Sequence, residues 1–182
     1  ARMLGAARRV VTAIRQMQKP VIASINGAAA GAGFSLALAC DLRIASQSAT
    51  FSQSFVRAGM HPDWGGTYFL PRIVPTNIAC EMFFLGDAIN SEQALHWGIV
   101  NRVVPDEELA TETRRLAERL RDSPPACIAA VKHAVYMSNA GASLEGMIKY
   151  ETEAQLRCFQ SQDAREGVSA FLGKRPPRFS GR

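Results

Sequence analysis

Two short stretches hold the residues whose types and spacing bear on chemistry. The first, Asn26–Asp41 (NGAAAGAGFSLALACD), is mostly alanine and glycine and carries no charge before its final aspartate. A segment so poor in reactive side chains either admits another backbone at close range or offers its own N–H groups to a ligand. Gly31-Ala32-Gly33 falls between a predicted strand and a predicted helix, where the first N–H groups of the helix lack partners and the macrodipole favours negative charge. Such a turn suits a phosphate or the oxygen of an activated carbonyl. The phosphate alternative is the weaker, because the third glycine of GxGxxG and the Lys-Ser/Thr pair of a P-loop are both absent. Plain close packing of helix on strand competes with both, and the residues alone leave the choice open.

The second stretch is His61–Arg72 (HPDWGGTYFLPR). Asp63 is placed either to cap the helix predicted over Gly65–Ile73 or to move a proton, and capping is the commoner use of an aspartate there. His61 is the other titratable candidate of the loop, against the alternative of a solvated surface histidine. Phe34, Phe55, Trp64, Tyr68 and Phe69 would line an apolar pocket or simply fill the core. Four cysteines, Cys40, Cys80, Cys127 and Cys158, lie far apart without a CxxC pair, which speaks for buried free thiols over a zinc site or disulfide framework.

These residues need a scaffold, and a chain of 182 residues with 47% apolar and 20% charged content is long and apolar enough for a folded core. Helical spacing over Leu4–Met17 ends at Pro20. Val21–Ile25 reads as a buried strand, Phe34–Ala39 as a helix and Leu42–Ala45 as a second strand, a βαβ crossover that implies parallel pairing and an α/β fold. Ala49–Gln53 and Ile99–Val104 read as further extended pieces. Helices are predicted over Glu107–Arg121, Pro125–Ser138, Leu144–Phe159 and Ala164–Leu172. The first eighteen residues form a basic amphipathic pattern without a cleavable apolar core, and no run is long enough to span a bilayer, so a cytoplasmic protein without a membrane partner is expected. The net charge of +5 favours a polyanionic partner. Without interleaved basic and aromatic residues, that partner is a phosphate-bearing small molecule rather than nucleic acid.

With NGAAAGAGFSLALACD, HPDWGGTYFLPR and the tail DAREGVSAFLGKRPPRFSGR in this order, the chain from about Lys19 onward resembles the crotonase superfamily, the enoyl-CoA hydratase and isomerase family. Ala29–Gly33, Pro62-Asp63, Gly65-Gly66-Thr67 and Arg165–Phe171 are most similar to its branch of phenylacetate-pathway ring-epoxide isomerases and enoyl-CoA isomerases. The resemblance implies an α/β spiral of βαβ units, here a partial core over residues 1–105, and a C-terminal helical region over 106–182 that builds homotrimers or hexamers. It implies an acyl-CoA thioester as substrate and no separate cofactor or metal, CoA being part of the substrate. By the same resemblance the backbone N–H of Ala32, flanked by Gly31 and Gly33, is one of two donors to a thioester enolate. Phe55, His61 and Trp64 are then candidate substrate-binding residues. Phe171 and Lys174 match residues that contact CoA. The family's first strands and the loop bearing the other donor have no counterpart in these residues.

Departures from the family pattern bear on the reaction. The two glutamates of the hydratases match Ser35 and Phe55 here, neither of which transfers a proton at neutral pH. Asp63 matches the single acid of the isomerases. The resemblance therefore implies an enoyl-CoA isomerase using Asp63, with a hydratase and a catalytically silent acyl-CoA-binding subunit as alternatives.

Overall fold

A computed structural model describes residues 2–182, with side chains from Gly5 onward. The chain divides into two compact units, one of residues through Met17 with Val21–Arg115, the other of Gln18–Pro20 with Leu116–Arg182. The division falls inside the helix α6 (Leu109–Arg121), beyond the Pro105-Asp106 boundary drawn from sequence. Side-chain contacts tie the first turns of α6 to the first unit: Thr113 Oγ1 lies 2.9 Å from Ser24 Oγ, and Glu112 faces Arg102 at 3.7 Å.

In the first unit, α1 (Arg2–Gln16) precedes β1 (Ile22–Ile25), β2 (Ala28–Ala30), α2 (Ala32–Ala39), β3 (Leu42–Ser46) and β4 (Thr50–Ser52). A short α3 (Gly66–Phe69), α4 (Thr76–Leu85), β5 (Ile89–Asn90), α5 (Ser91–His96) and β6 (Arg102–Val104) follow. β1 pairs in parallel with β3, and β3 with β6, giving one three-stranded sheet of order β1-β3-β6. The crossover expected from sequence is thus present, with Ile22 opposite Leu42 and Ile25 opposite Ala45. A second sheet of order β2-β4-β5 was not anticipated. Ala28–Ala30 has no β-branched residue to mark it as a strand, and its extended state is set by the parallel ladder to β4, Ala28 to Thr50 and Ala30 to Ser52.

The lone charge of the small-residue stretch anchors this arrangement, since Asp41 Oδ2 accepts a 2.6 Å bond from the N–H of Val21. Arg43, buried in β3, donates to the carbonyls of Ile99 at 2.5 Å and Cys40 at 2.8 Å, which satisfies a cation that would otherwise be costly inside. The core gathers Phe34 and Leu38 of α2, Ala45 of β3, Phe51 of β4, Leu70 and Ile99. Pro71 limits the helix expected over Gly65–Ile73: α3 stops at Phe69 and the chain continues as one 3₁₀ turn through Arg72. The thiol reading holds for Cys40, which is buried, whereas Cys80, Cys127 and Cys158 are half-buried. No described helix is long and apolar enough to cross a membrane.

The second unit holds α7 (Pro125–Asn139), α8 (Leu144–Gln160) and α9 (Gln162–Leu172). Its C-terminal tail folds back on the start of α9: buried Asp163 accepts from the N–H groups of Ser180 at 2.7 Å and Gly181 at 3.0 Å. Glu166 accepts two bonds from Arg175, at 2.6 and 2.8 Å, and one from the N–H of Arg178 at 2.8 Å. Those donors, the Arg175 guanidinium foremost, hold the Glu166 carboxyl down at about 2 against an ordinary 4.5. Because the folded value lies below the unfolded one, this bond set contributes fully above pH 4.5 and is lost as the pH falls toward 2. The protection factor of the Arg178 amide against exchange is expected to fall across that window, and to be lower already at pH 7 in Glu166→Gln.

Candidate active site

The turn between β2 and α2 is built around Gly31, which has φ 52° and ψ −115°, a conformation open to glycine and strained for other residues. Its N–H donates to Ser52 of β4 at 2.9 Å, and the Phe55 ring lies against its Cα, where an added Cβ would meet Cζ at 3.4 Å. Close packing accounts for Gly31. It does not account for Gly33, where a Cβ would meet nothing within 4 Å among the described residues. Gly33 instead lines a cavity of about 370 Å³ with Asn26, Ala29, Ala37 and Cys40. Ala32 opens α2, so its N–H has no acceptor within the helix and keeps its hydrogen-bonding capacity.

The loop bearing Asp63 reaches the same turn of α2. Gly66 donates to the Asp63 carbonyl at 3.0 Å, and its Cα sits against α2 so closely that a Cβ would lie 2.5 Å from Ser35 Oγ and 3.2 Å from Gln53 Nε2. Gln53 and Ser35 are fully buried, with Gln53 Nε2 3.4 Å from Ser35 Oγ, and Gln53 Oε1 has no partner among the described residues. Gly66→Ala is expected to lower stability by roughly 1–3 kcal/mol, the ordinary cost of overpacking, because neither buried side chain has room to retreat. Adding Ser35→Ala should recover part of the loss of melting temperature.

Asp63 does not cap α3. That N-cap position belongs to Gly65, with φ 80° and no side-chain capping bond, so the commoner use of an aspartate here does not apply. Asp63 Oδ1 is buried without a hydrogen-bond partner among the described residues. The residue lines a second cavity, about 280 Å³, with Ala7, Arg8, Val11 and Thr12 of α1 and with Trp64 and Gly65. Trp64 is held at φ 53°, a strained conformation for a side-chain-bearing residue and of the kind found at ligand clamps and active sites. Sequence periodicity did not single out Arg8 and Thr12, which lie i, i+4 beside the apolar stripe and so share one face of α1.

The structure thus gathers Gly31, Ala32, Gly33, Ser35, Phe55, Asp63 and Trp64 around the first turn of α2 and the loop before α3. His61 is exposed, its Nδ1 2.6 Å from the Pro62 carbonyl, and is not among the residues lining the Asp63 cavity. Phe171 and Lys174 belong to the second unit: Phe171 is 83% exposed at the end of α9, which excludes the core alternative, and Lys174 follows in a left-handed conformation at φ 49°. No group of three or more His, Cys, Asp or Glu side chains capable of holding a metal ion occurs among the described residues. What the first unit offers is the first N–H of α2, which the helix itself leaves without an acceptor, a carboxylate oxygen buried without a partner among the described residues, and a cavity beside each turn.

Comparison with known proteins agrees with these motifs. The sequence model of the enoyl-CoA hydratase/isomerase family matches residues 4–182. A probable enoyl-CoA hydratase of Rhodobacter capsulatus is 45% identical over 175 residues, covering 95% of this chain and 67% of that protein. The 1,2-epoxyphenylacetyl-CoA isomerase of Escherichia coli is 40% identical over 173 residues, covering 95% and 66%. The crystal structure of an enoyl-CoA hydratase from Polaromonas sp. JS666 superposes with a TM-score of 0.94 at 34% identity, covering 97% of this chain and 68% of that one. The chain therefore spans about two thirds of the length of the relatives it matches. Extending over nearly every residue, the match places this chain in the enoyl-CoA hydratase/isomerase family, the crotonase superfamily.

Proposed function

We propose that the protein isomerises acyl-CoA thioesters, shifting a double bond or isomerising a ring epoxide, with Asp63 as the proton carrier. The observation that carries this reading is the buried Asp63 Oδ1, without a hydrogen-bond partner among the described residues, in a residue that lines a cavity. One carboxylate suffices for the reaction: it takes a proton from one carbon of the acyl chain and returns it two carbons along. Between the two transfers the thioester oxygen carries the negative charge, and the Ala32 N–H is one donor to it. Gly31 and Gly33 let the thioester approach, while Trp64 and Phe55 shape the acyl side. Phe171 and Lys174 are assigned to CoA, Lys174 as the cation for a phosphate. Homotrimers or hexamers are part of this reading, supported by the exposed apolar side chains of Leu144, Ile148, Val168, Phe171 and Leu172. So are a cytoplasmic location and the absence of a separate cofactor.

The name of the Rhodobacter relative favours a second reading, hydration of an α,β-enoyl-CoA. Against it stand Ser35 and Phe55 at the positions of the hydratase glutamates, since water addition is usually served by two carboxylates. The two are separated by incubating the protein with a β,γ-unsaturated and an α,β-unsaturated acyl-CoA in deuterated water and following the acyl protons by NMR. Double-bond migration with deuterium entering the acyl chain supports the isomerase. A 3-hydroxyacyl product from the α,β-substrate without migration would replace it by the hydratase, and CoA-ester binding without turnover would leave a silent binding subunit.

A further inference from the structure

The end of α9 is closed by a pair of backbone bonds: the Arg175 N–H donates to the Ala170 carbonyl at 3.0 Å, and the Lys174 N–H to that of Phe171 at 3.2 Å. This way of ending a helix needs a left-handed residue where the chain turns away, and glycine is its usual occupant. Here the left-handed residue is Lys174, at φ 49°, although a glycine precedes it. Gly173 has an ordinary φ of −80° and serves packing instead, since a Cβ there would lie 3.2 Å from the Ser169 carbonyl. The only other non-glycine residue at positive φ among the described residues is Trp64, beside Asp63. Backbone strain of this kind persists where neighbouring contacts over-determine it, and it gathers at ligand clamps.

At Lys174 the over-determining contact is Glu166, on the same helix. Its carboxylate takes both guanidinium N–H groups of Arg175, the residue after Lys174, at 2.6 and 2.8 Å, and the N–H of Arg178 at 2.8 Å. The chain is thereby tied to α9 on both sides of the lysine, by the helix before it and by the Glu166 bonds after it. A bidentate pair with a third bond holds position even where it is partly exposed, as here, with 24% of the Glu166 side chain open to solvent. The Lys174 ammonium itself is exposed and forms no ion pair among the described residues. We infer, resting on the assignment of Lys174 to a CoA phosphate, that Glu166 is a positioning residue for CoA binding: through Arg175 it fixes the left-handed turn, so that Lys174 meets the phosphate already ordered. A side chain held in place before binding spares the complex the entropy of immobilising it.

The test measures calorimetric affinity for butyryl-CoA, a saturated ester that undergoes neither isomerisation nor hydration, and for butyryl-pantetheine, which carries no phosphate. Lys174→Gly should melt no earlier than the parent protein, because glycine suits the left-handed position, yet bind butyryl-CoA about tenfold more weakly for want of a charged contact. Glu166→Gln should weaken butyryl-CoA binding by about 2–10-fold, the ordering cost of one long side chain. Neither substitution should change the affinity for butyryl-pantetheine. In the double variant the loss should equal that of Lys174→Gly alone, since Glu166 acts only through Lys174. Parental binding of butyryl-CoA by Glu166→Gln, an equal loss for both ligands, or a loss that adds to that of Lys174→Gly would overturn the role of Glu166 and leave Lys174 at the CoA. Parental affinity in Lys174→Gly would overturn both.

Discussion

Asp63→Asn is expected to lower the turnover of a β,γ-enoyl-CoA by about 10²–10⁴-fold, the usual share of a positioned acid–base group, while the affinity for the CoA ester changes by only a few-fold. The substitution keeps shape and volume and removes the ability to accept and return a proton. Its effect on stability should be small, because Asp63 Oδ1 makes no hydrogen bond among the described residues that the amide would lose and the N-cap position of α3 is Gly65. This combination separates a proton carrier from a structural aspartate. Were Asp63 a cap or a buried anchor, the variant would melt earlier and lose binding and turnover together. Steady-state kinetics paired with a melting curve decide the matter, and turnover within threefold of the parent protein would sink the role given to Asp63.

How far the sequence carried the site differs between its two halves. At Asp63 local sequence pointed toward capping, since an aspartate before Gly65-Gly66 has the composition of a helix start. The fold overrides it by placing Trp64 and Gly65 at φ 53° and 80°, so the helix begins one residue after a left-handed glycine and the carboxylate turns elsewhere. Consecutive left-handed residues are a tertiary outcome that propensity does not encode. At Gly31-Ala32-Gly33 the residues left packing and ligand binding open, and the structure divides them: Gly31 is needed for conformation and for the Phe55 ring, Gly33 for neither.

The scaffold shows the same division. α6 to α9 follow the predicted helices to within a few residues, because their periodicity and their punctuation by Pro125, Ser143 and Ser161 are local signals. β2 was invisible, being three alanines whose conformation comes from the ladder to β4. α4 (TNIACEMFFL) was missed because apolar residues appear on most of its faces, leaving no period to read. α5 is only six residues long, yet it carried a legible mark in the capping box between Asn90 and Gln93.

The largest loss of stability is expected from Phe34→Ala, about 3–5 kcal/mol for a large aromatic removed from a core that cannot fully collapse. Phe34 is fully buried two residues after Ala32, its ring 5.5 Å from that of Phe51 at 58°. It is the side chain that fastens the first turn of α2 to β4, and β4 in turn accepts the Gly31 N–H through Ser52. Removing the ring therefore loosens the turn that aims the Ala32 N–H, and turnover should fall further than the unfolded fraction explains. The control is Phe171→Ala, at a ring 83% exposed, where the shift should stay within about 0.5 kcal/mol and any kinetic change should appear in KM for the CoA ester. Urea unfolding with kinetics measured below the transition distinguishes the two. If Phe34→Ala kept full kcat in its folded fraction, the orientation of the Ala32 N–H would not depend on the Phe34–Phe51 contact, and the rigidity of the turn would have to come from the Gly31 ladder bond alone.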